Sequence, residues 1–335
     1  MPFKQDGDET GLFEVLKRIN QVLDRAIPLI VPIGVVFGGI VLPKVFIGLR
    51  PLVLWFFVVI TLSGSLNLRV RELGRAVSSP LPVFIFIFCA RILLPLMVFS
   101  LSSLIFSSDP EVVSGYVLLY TVPTAVTGIV WVSVFKGDTA LSLALILLDA
   151  ILAPIVVPGT VHLLLGASIS LNMTGMVLSL IYMVVIPTIV GVTLNELSRG
   201  KIPAMVSPWI SPFSKVCIFL MIAANSAAAS PQMQTDNPLI WIIIAVCIGF
   251  SVMGFICSKL MSLAGKLKRE KQVALFFACS LRNTSSAMTL AIEFFPGSAA
   301  LPAVLGIMFQ QMTAAVMGRL LLGKIGGNAA SKVAS

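Results

Sequence analysis

The 335-residue chain is poor in charge, and that shortage decides its class: Asp, Glu, Lys and Arg together supply 11% of it. A soluble domain carries about 25%. Histidine occurs once, at His162. There is no His-Glu-x-x-His, no Gly-x-Ser-x-Gly, no phosphate loop and no His/Cys/acid cluster with metal-ligand spacing. Hydrolytic, metal-dependent and nucleotide-dependent chemistry therefore lack their usual groups, and the chain does not read as an enzyme or as needing a cofactor. Cys89, Cys217, Cys247, Cys257 and Cys279 all fall in apolar stretches, where they read as packing thiols rather than disulfide partners. No cleavable signal is expected at the start, because residues 1–11 are polar and acidic.

What the chain has in excess is hydrophobic residue, 58% of the total, with a mean hydropathy of +1.04. Each membrane crossing needs about 20 apolar residues. About ten such segments are predicted, at 27–48, 51–68, 81–105, 112–135, 139–166, 171–197, 206–229, 238–264, 272–295 and 299–323. The expected fold is an all-α polytopic membrane protein of about ten transmembrane helices. The expected organisation is a cytoplasmic segment 1–26, a first repeat 27–166, a second repeat 167–323 and a cytoplasmic tail 324–335. Leu12, Val15, Leu16, Ile19, Val22 and Leu23 recur at helical spacing opposite Lys17, Arg18 and Arg25, so 11–25 reads as an interfacial helix.

The net charge is +9, but the basic residues sit in short loops, which argues against nucleic acid as a partner and for the lipid bilayer. Arg69, Arg71 and Arg75, Arg199 and Lys201, and Lys266, Lys268, Arg269 and Lys271 fall on the side of the N-terminus, whereas the opposite loops hold only Lys44 and Arg50. The positive-inside rule then places both termini in the cytoplasm, most simply at a bacterial inner membrane. With five crossings per half, the two halves would be inverted relative to one another. Inverted repeats with paired broken helices mark secondary transporters, and their site lies at the repeat interface. The runs His162 to Gly166 and Arg319 to Gly323 share Leu-Leu-Leu-Gly, a weak sign of such a repeat.

The polar groups concentrate at two places. Ser280 to Ser286 sets a cation, an amide and three hydroxyls in the middle of the ninth crossing. A charge at that depth is costly and should face the protein interior or a wet cavity. In the fourth crossing, Pro123 removes a backbone donor, Gly128 loosens the chain, and Thr124 and Thr127 can satisfy freed groups. Both crossings should break near their centres, although Pro123 alone could equally kink a packed helix. Two half-helix N-termini and Arg282 would then favour an anion, a carboxylate above all. The candidate substrate-binding residues are Arg282, Asn283, Thr284, Ser285, Thr124 and Thr127. Asp149, mid-way along the fifth crossing, could pair with Arg282 or carry a proton. Arg91 is expected to donate to backbone carbonyls or to Asp149, with Pro95 freeing the carbonyl of Arg91 itself. Asn225, Gln310 and Gln311 are expected to line the cavity or to tie helices together.

At these segments the sequence resembles the bile acid:sodium symporter family, which includes arsenite-efflux relatives. The local matches are Asn283, the run Ala287 to Pro302 and the run Lys136 to Ser142. The resemblance implies a five-plus-five inverted repeat in which the broken helices four and nine cross in a core domain that moves against a panel domain. It also implies a small organic anion as substrate and sodium as the coupling ion. Sodium-coupled members carry Pro-Gly-Gly-x-x-Ser-Asn at the first break, where this chain has Pro123 followed later by Gly128-Ile129. They carry Glu-x-Gly-x-Gln-Asn at the second, where the Glu falls on Ala278 and the Gln on Arg282. Of the implied cation site, Ser142 and Asn283 remain. A hard cation wants several oxygens. The expectation is therefore that Arg282 replaces the sodium charge and that transport is sodium-independent, by proton linkage, exchange or facilitated movement. The alternatives are a conventional sodium symporter, an arsenite or oxyanion exporter, and a non-transporting sensor of the same fold. The sequence assigns no oligomeric state.

Overall fold

The computed structural model describes residues 20, 22–23, 29–66, 68–69, 74, 80–166, 172–233 and 238–323. The interfacial helix expected at 11–25, apart from residues 20, 22 and 23, and the tail 324–335 lie outside the described residues. Among the described residues the chain is helical throughout, with a single isolated β-bridge.

In chain order the helices are α1 (Leu29–Val41), α2 (Pro43–Ser65), α3 (Pro80–Ile105), α4 (Pro110–Thr121), α5 (Gly128–Val134), α6 (Thr139–Leu165), α7 (Met173–Leu197), α8 (Lys201–Gln232), α9 (Pro238–Ala264), α10 (Arg269–Ser280), α11 (Thr284–Phe294) and α12 (Gly297–Leu322). Seven of them, α2, α3, α6, α7, α8, α9 and α12, are long and apolar enough to cross a membrane, and α1 is a shorter apolar helix. Leu104, Ile155 and Leu163 lie bare on the outer surface, as side chains facing lipid rather than water would.

The first two crossings divide earlier than the expected 48/51 boundary. The chain leaves helical geometry at Leu42, and Pro43 opens α2 at a position where its missing N–H costs nothing. Side chains cap the starts of α6 and α7: Asp138 accepts from Leu141 N and Asn172 accepts from Gly175 N, both at 2.9 Å. The four short helices form two interrupted pairs, α4 with α5 and α10 with α11, on the fourth and ninth predicted crossings.

The helices fall into two packing groups. In one, α8 packs along α2 and α1, and α7 packs on α2. The other gathers α3, α4, α6, α9, α10 and α12 around the two interruptions. The groups meet where α7 touches α6 and where α8 touches α11 and α12. A regular spacing runs through the second group. Pro80 and Pro238, which open α3 and α9, are 158 residues apart; Thr121 and Ser280, which close α4 and α10, are 159 apart; Leu165 and Leu322, which close α6 and α12, are 157 apart.

Candidate functional site at the paired helix breaks

The two interruptions lie side by side and bond to each other. Helix α4 stops at Thr121, and the chain runs extended through Val122 and Pro123. Helix α10 stops at Ser280, with Leu281 extended. Thr124 and Arg282 form an antiparallel bridge. Ala125 N donates to Leu281 O at 3.0 Å, and Asn283 N donates to Pro123 O at 2.8 Å. Backbone groups freed by two broken helices thus satisfy one another.

Three further carbonyls at the half-helix ends accept from side chains. Thr124 Oγ1 donates to Ala278 O at 2.9 Å. Arg282 Nη2 donates to Cys279 O at 2.8 Å, and Arg91 Nη1 donates to Thr121 O. Both guanidinium groups therefore sit at helix C-termini, the negative ends of the dipoles. Asn283 caps the other side, its Oδ1 accepting from Ser286 N at 3.1 Å at the start of α11.

Asp149 pairs with Arg91, not with Arg282. Its Oδ1 accepts from Arg91 Nε at 2.7 Å and also from Nη2, and its Oδ2 accepts from Thr124 N at 2.7 Å. The carboxylate thus locks α6 to α3 and to the first break. Arg91 lies in a π-helical turn, Phe88–Leu93, where Leu94 N bonds back to Cys89 O. In that register the carbonyl that Pro95 leaves without a donor is that of Ala90, one residue before the expected Arg91. Arg282 Nη2 fills it at 3.1 Å. The wide turn is what brings α3 into contact with the second break.

The sequence-predicted site residues divide by exposure. Arg282, Thr124 and Thr284 are buried, Arg282 at 1% exposure. Asn283 and Ser285 are part-exposed and Thr127 is exposed. Arg282 is therefore more enclosed than Thr127, Asn283 and Ser285. Ser142 is buried one turn into α6, and Asn283 Oδ1 accepts from Ser286 N.

Two glutamines complete the site in ways that composition could not assign. Gln310 Nε2 donates to Arg282 O at 2.7 Å, and its Oε1 accepts from Thr284 Oγ1 at 2.9 Å, so α12 clamps the second break. Trp131 Nε1 donates to Gln311 Oε1 at 2.7 Å, and Gln311 Nε2 reaches Thr127 Oγ1 at 3.4 Å, which ties α12 to the first break. Asn225 Nδ2 donates to Thr289 Oγ1 at 3.0 Å and joins α8 to α11.

Sequence comparison with known proteins points to a transporter family. The profile of the SBF-like CPA transporter family matches residues 46–322. The chain is 37% identical over 295 residues to "Uncharacterized protein YbaS" of Bacillus subtilis (strain 168), an alignment covering 88% of this chain and 96% of that protein. It is 21% identical over 305 residues to "Uncharacterized sodium-dependent transporter YocS" of the same organism, covering 91% of this chain and 93% of that protein. It is 24% identical over 251 residues to "Probable sodium/metabolite cotransporter BASS3, chloroplastic" of Oryza sativa subsp. japonica, covering 74% of this chain and 58% of that protein.

Proposed function

This chain belongs to the SBF-like CPA transporter family and is an integral membrane transporter, and from that premise we propose that it carries a small organic anion, a carboxylate, without a bound sodium ion. Its two packing groups would act as a core and a panel that move against each other in alternating access. The ten-crossing, five-plus-five inverted repeat is part of the proposal. What supports it is the reciprocity of the bonds at the breaks. Ala125 N to Leu281 O and Asn283 N to Pro123 O become each other when the chain is shifted by 158 residues. The repeats are 27–166 and 167–323, the termini are cytoplasmic, and the membrane is a bacterial cytoplasmic membrane.

The observation that carries sodium independence is the placement of the two guanidinium groups. Arg91 and Arg282 occupy the carbonyl ends of α4 and α10, where a cation is held best. A positive charge is built into the place where the symporter resemblance would put a mobile one. Arg282, buried at 1% exposure, acts on a substrate through its field rather than by contact. Contact falls to Thr127, Asn283 and Ser285, the candidate residues that are at least part-exposed. Asp149 has both oxygens engaged, which favours a structural ion pair over a proton carrier.

The second reading is a sodium-coupled symporter, and what favours it is the sodium dependence printed in the names of YocS and BASS3. The two separate in a thermal-stability panel of carboxylates and oxyanions on the purified protein, each with and without sodium. Ligands that bind only the folded state stabilise it by mass action. The proposal expects a carboxylate to stabilise without sodium and Arg282→Gln to lose that response. Stabilisation that needs sodium and survives Arg282→Gln returns the symporter. Stabilisation by oxyanions alone returns an oxyanion exporter. Stabilisation without measurable flux in liposomes returns a sensor.

A further inference from the structure

The first break has a complete set of charges, and the second does not. On the first, Arg91 is neutralised by Asp149, which also takes Thr124 N–H. The repeat spacing of 157 to 159 residues carries Asp149 to Gly306, Ile307 or Met308 and carries Arg91 to Ile248, Gly249 or Phe250. None of these positions holds a carboxylate or a guanidinium. Gly306, a position spaced like Asp149, lines a cavity beside the second break.

That cavity is polar where it meets the second break. Arg282, Ser251, Ser280, Thr284 and Gln310 line it together with Gly306. Arg282 and Ser251 are both more than nine-tenths buried. Arg282 Nε and Nη1 and Ser251 Oγ have no hydrogen-bond partner among the described residues. Two guanidinium groups and one carboxylate leave this interior with one uncompensated positive charge among the described residues. Buried charges are paired or costly, and buried guanidinium N–H groups without acceptors add to the cost. The centre of a water-sized sphere has about 20 Å³ to move in. One water needs about 10–15 Å³ by the same measure. There is room for one small particle and none for an organic skeleton.

We propose that this cavity is a binding site for one small monovalent anion, a halide or a formate-sized carboxylate, which supplies at the second break the negative charge that Asp149 supplies at the first. Arg282 N–H groups and Ser251 O–H donate to it. The anion balances Arg282 within the moving core and is distinct from the transported organic anion, so the site stands whether or not the proposed substrate class is right. It makes the stability of the protein depend on the anion in the buffer.

The test uses the purified full-length chain in detergent at constant ionic strength and constant sodium. Chloride, bromide or formate is titrated against gluconate, which is too large to enter, and the thermal midpoint is followed. A saturable rise in the midpoint with the three small anions and none with gluconate is expected, with halide and formate arms reporting which source binds better. Ser251→Ala should shift the half-saturating concentration upward several-fold, and Arg282→Gln should abolish the response. Gly306→Asp, which returns a carboxylate to the position spaced like Asp149, should raise the midpoint in gluconate and remove the anion dependence. No difference between chloride and gluconate in the wild type would mean that water fills the cavity and would overturn the proposal. An anion response that Ser251→Ala and Gly306→Asp leave unchanged would place the anion elsewhere and overturn it equally.

Discussion

Thr124 and Arg282 face each other in an antiparallel bridge between two interrupted helices, and they stand 158 residues apart in the chain. In the proposed repeat they are the same place in two halves, yet one is a hydroxyl and the other a guanidinium. That difference concentrates positive charge on one side of an otherwise reciprocal junction. The consequences of the junction can each be tested.

The Arg91–Asp149 pair is buried and holds three elements. Removing one partner leaves an uncompensated charge, so Asp149→Ala or Arg91→Ala should destabilise the protein by about 3–5 kcal/mol. The double change Arg91→Met with Asp149→Leu should recover part of that loss but not all of it. Thr124 N–H and Thr121 C=O would remain without partners, each costing about 1–3 kcal/mol. Reversible denaturation in mixed micelles measures all three variants.

Gln310 should behave as a clamp rather than as a surface amide. Gln310→Leu keeps the volume and removes both bonds, while Arg282 C=O still accepts from Thr284 N–H and the Thr284 hydroxyl can still donate to Arg282 C=O. A destabilisation of about 0.5–1.5 kcal/mol for each bond lost is expected. Gln311→Leu, on the more exposed side, should cost less and should quench or shift the fluorescence of Trp131, whose indole N–H it accepts.

Helix α4 approaches the start of α12 so closely that Gly115 has no room for a side chain: an added Cβ would overlap Ala299 O. Gly115→Ala should destabilise by about 1–3 kcal/mol through forced displacement. Gly159→Ala, in α6 with nothing near its would-be Cβ, should stay within about 1 kcal/mol of wild type. A comparison of the two in one thermal series separates close packing from glycine content.

The pattern of what could be read in advance follows from the range of each interaction. The breaks were legible because their signals are local: Pro123 removes a backbone donor, and Ser280 to Ser286 gathers at one depth the polar groups that can satisfy a freed backbone. The burial of all the cysteines but the part-buried Cys257 followed from hydropathy in the same way. The partner of Asp149 was open, because choosing between Arg91 and Arg282 needs the packing of α3 against α6. The carbonyl freed by Pro95 moved from Arg91 to Ala90 because the π-helical turn shifts the bonding register by one, and sequence gives no local sign of that turn. The clamping role of Gln310 was out of reach, since an amide has no preference among buried partners until the fold supplies them. The separation of Arg282 from Thr127, Asn283 and Ser285 is likewise a fact of side-chain direction, invisible in a string of adjacent polar residues.

The central claim is that a fixed guanidinium charge stands where a sodium ion would bind, and direct binding of radioactive sodium to the purified protein tests it most closely. Binding is read by filtration or scintillation proximity with lithium and choline as competitors, with and without the carboxylate that stabilises the protein. The account predicts no saturable sodium binding to the wild type in either condition. Saturable, sodium-selective binding that rises with the carboxylate and persists in the wild type with Arg282 in place would contradict it.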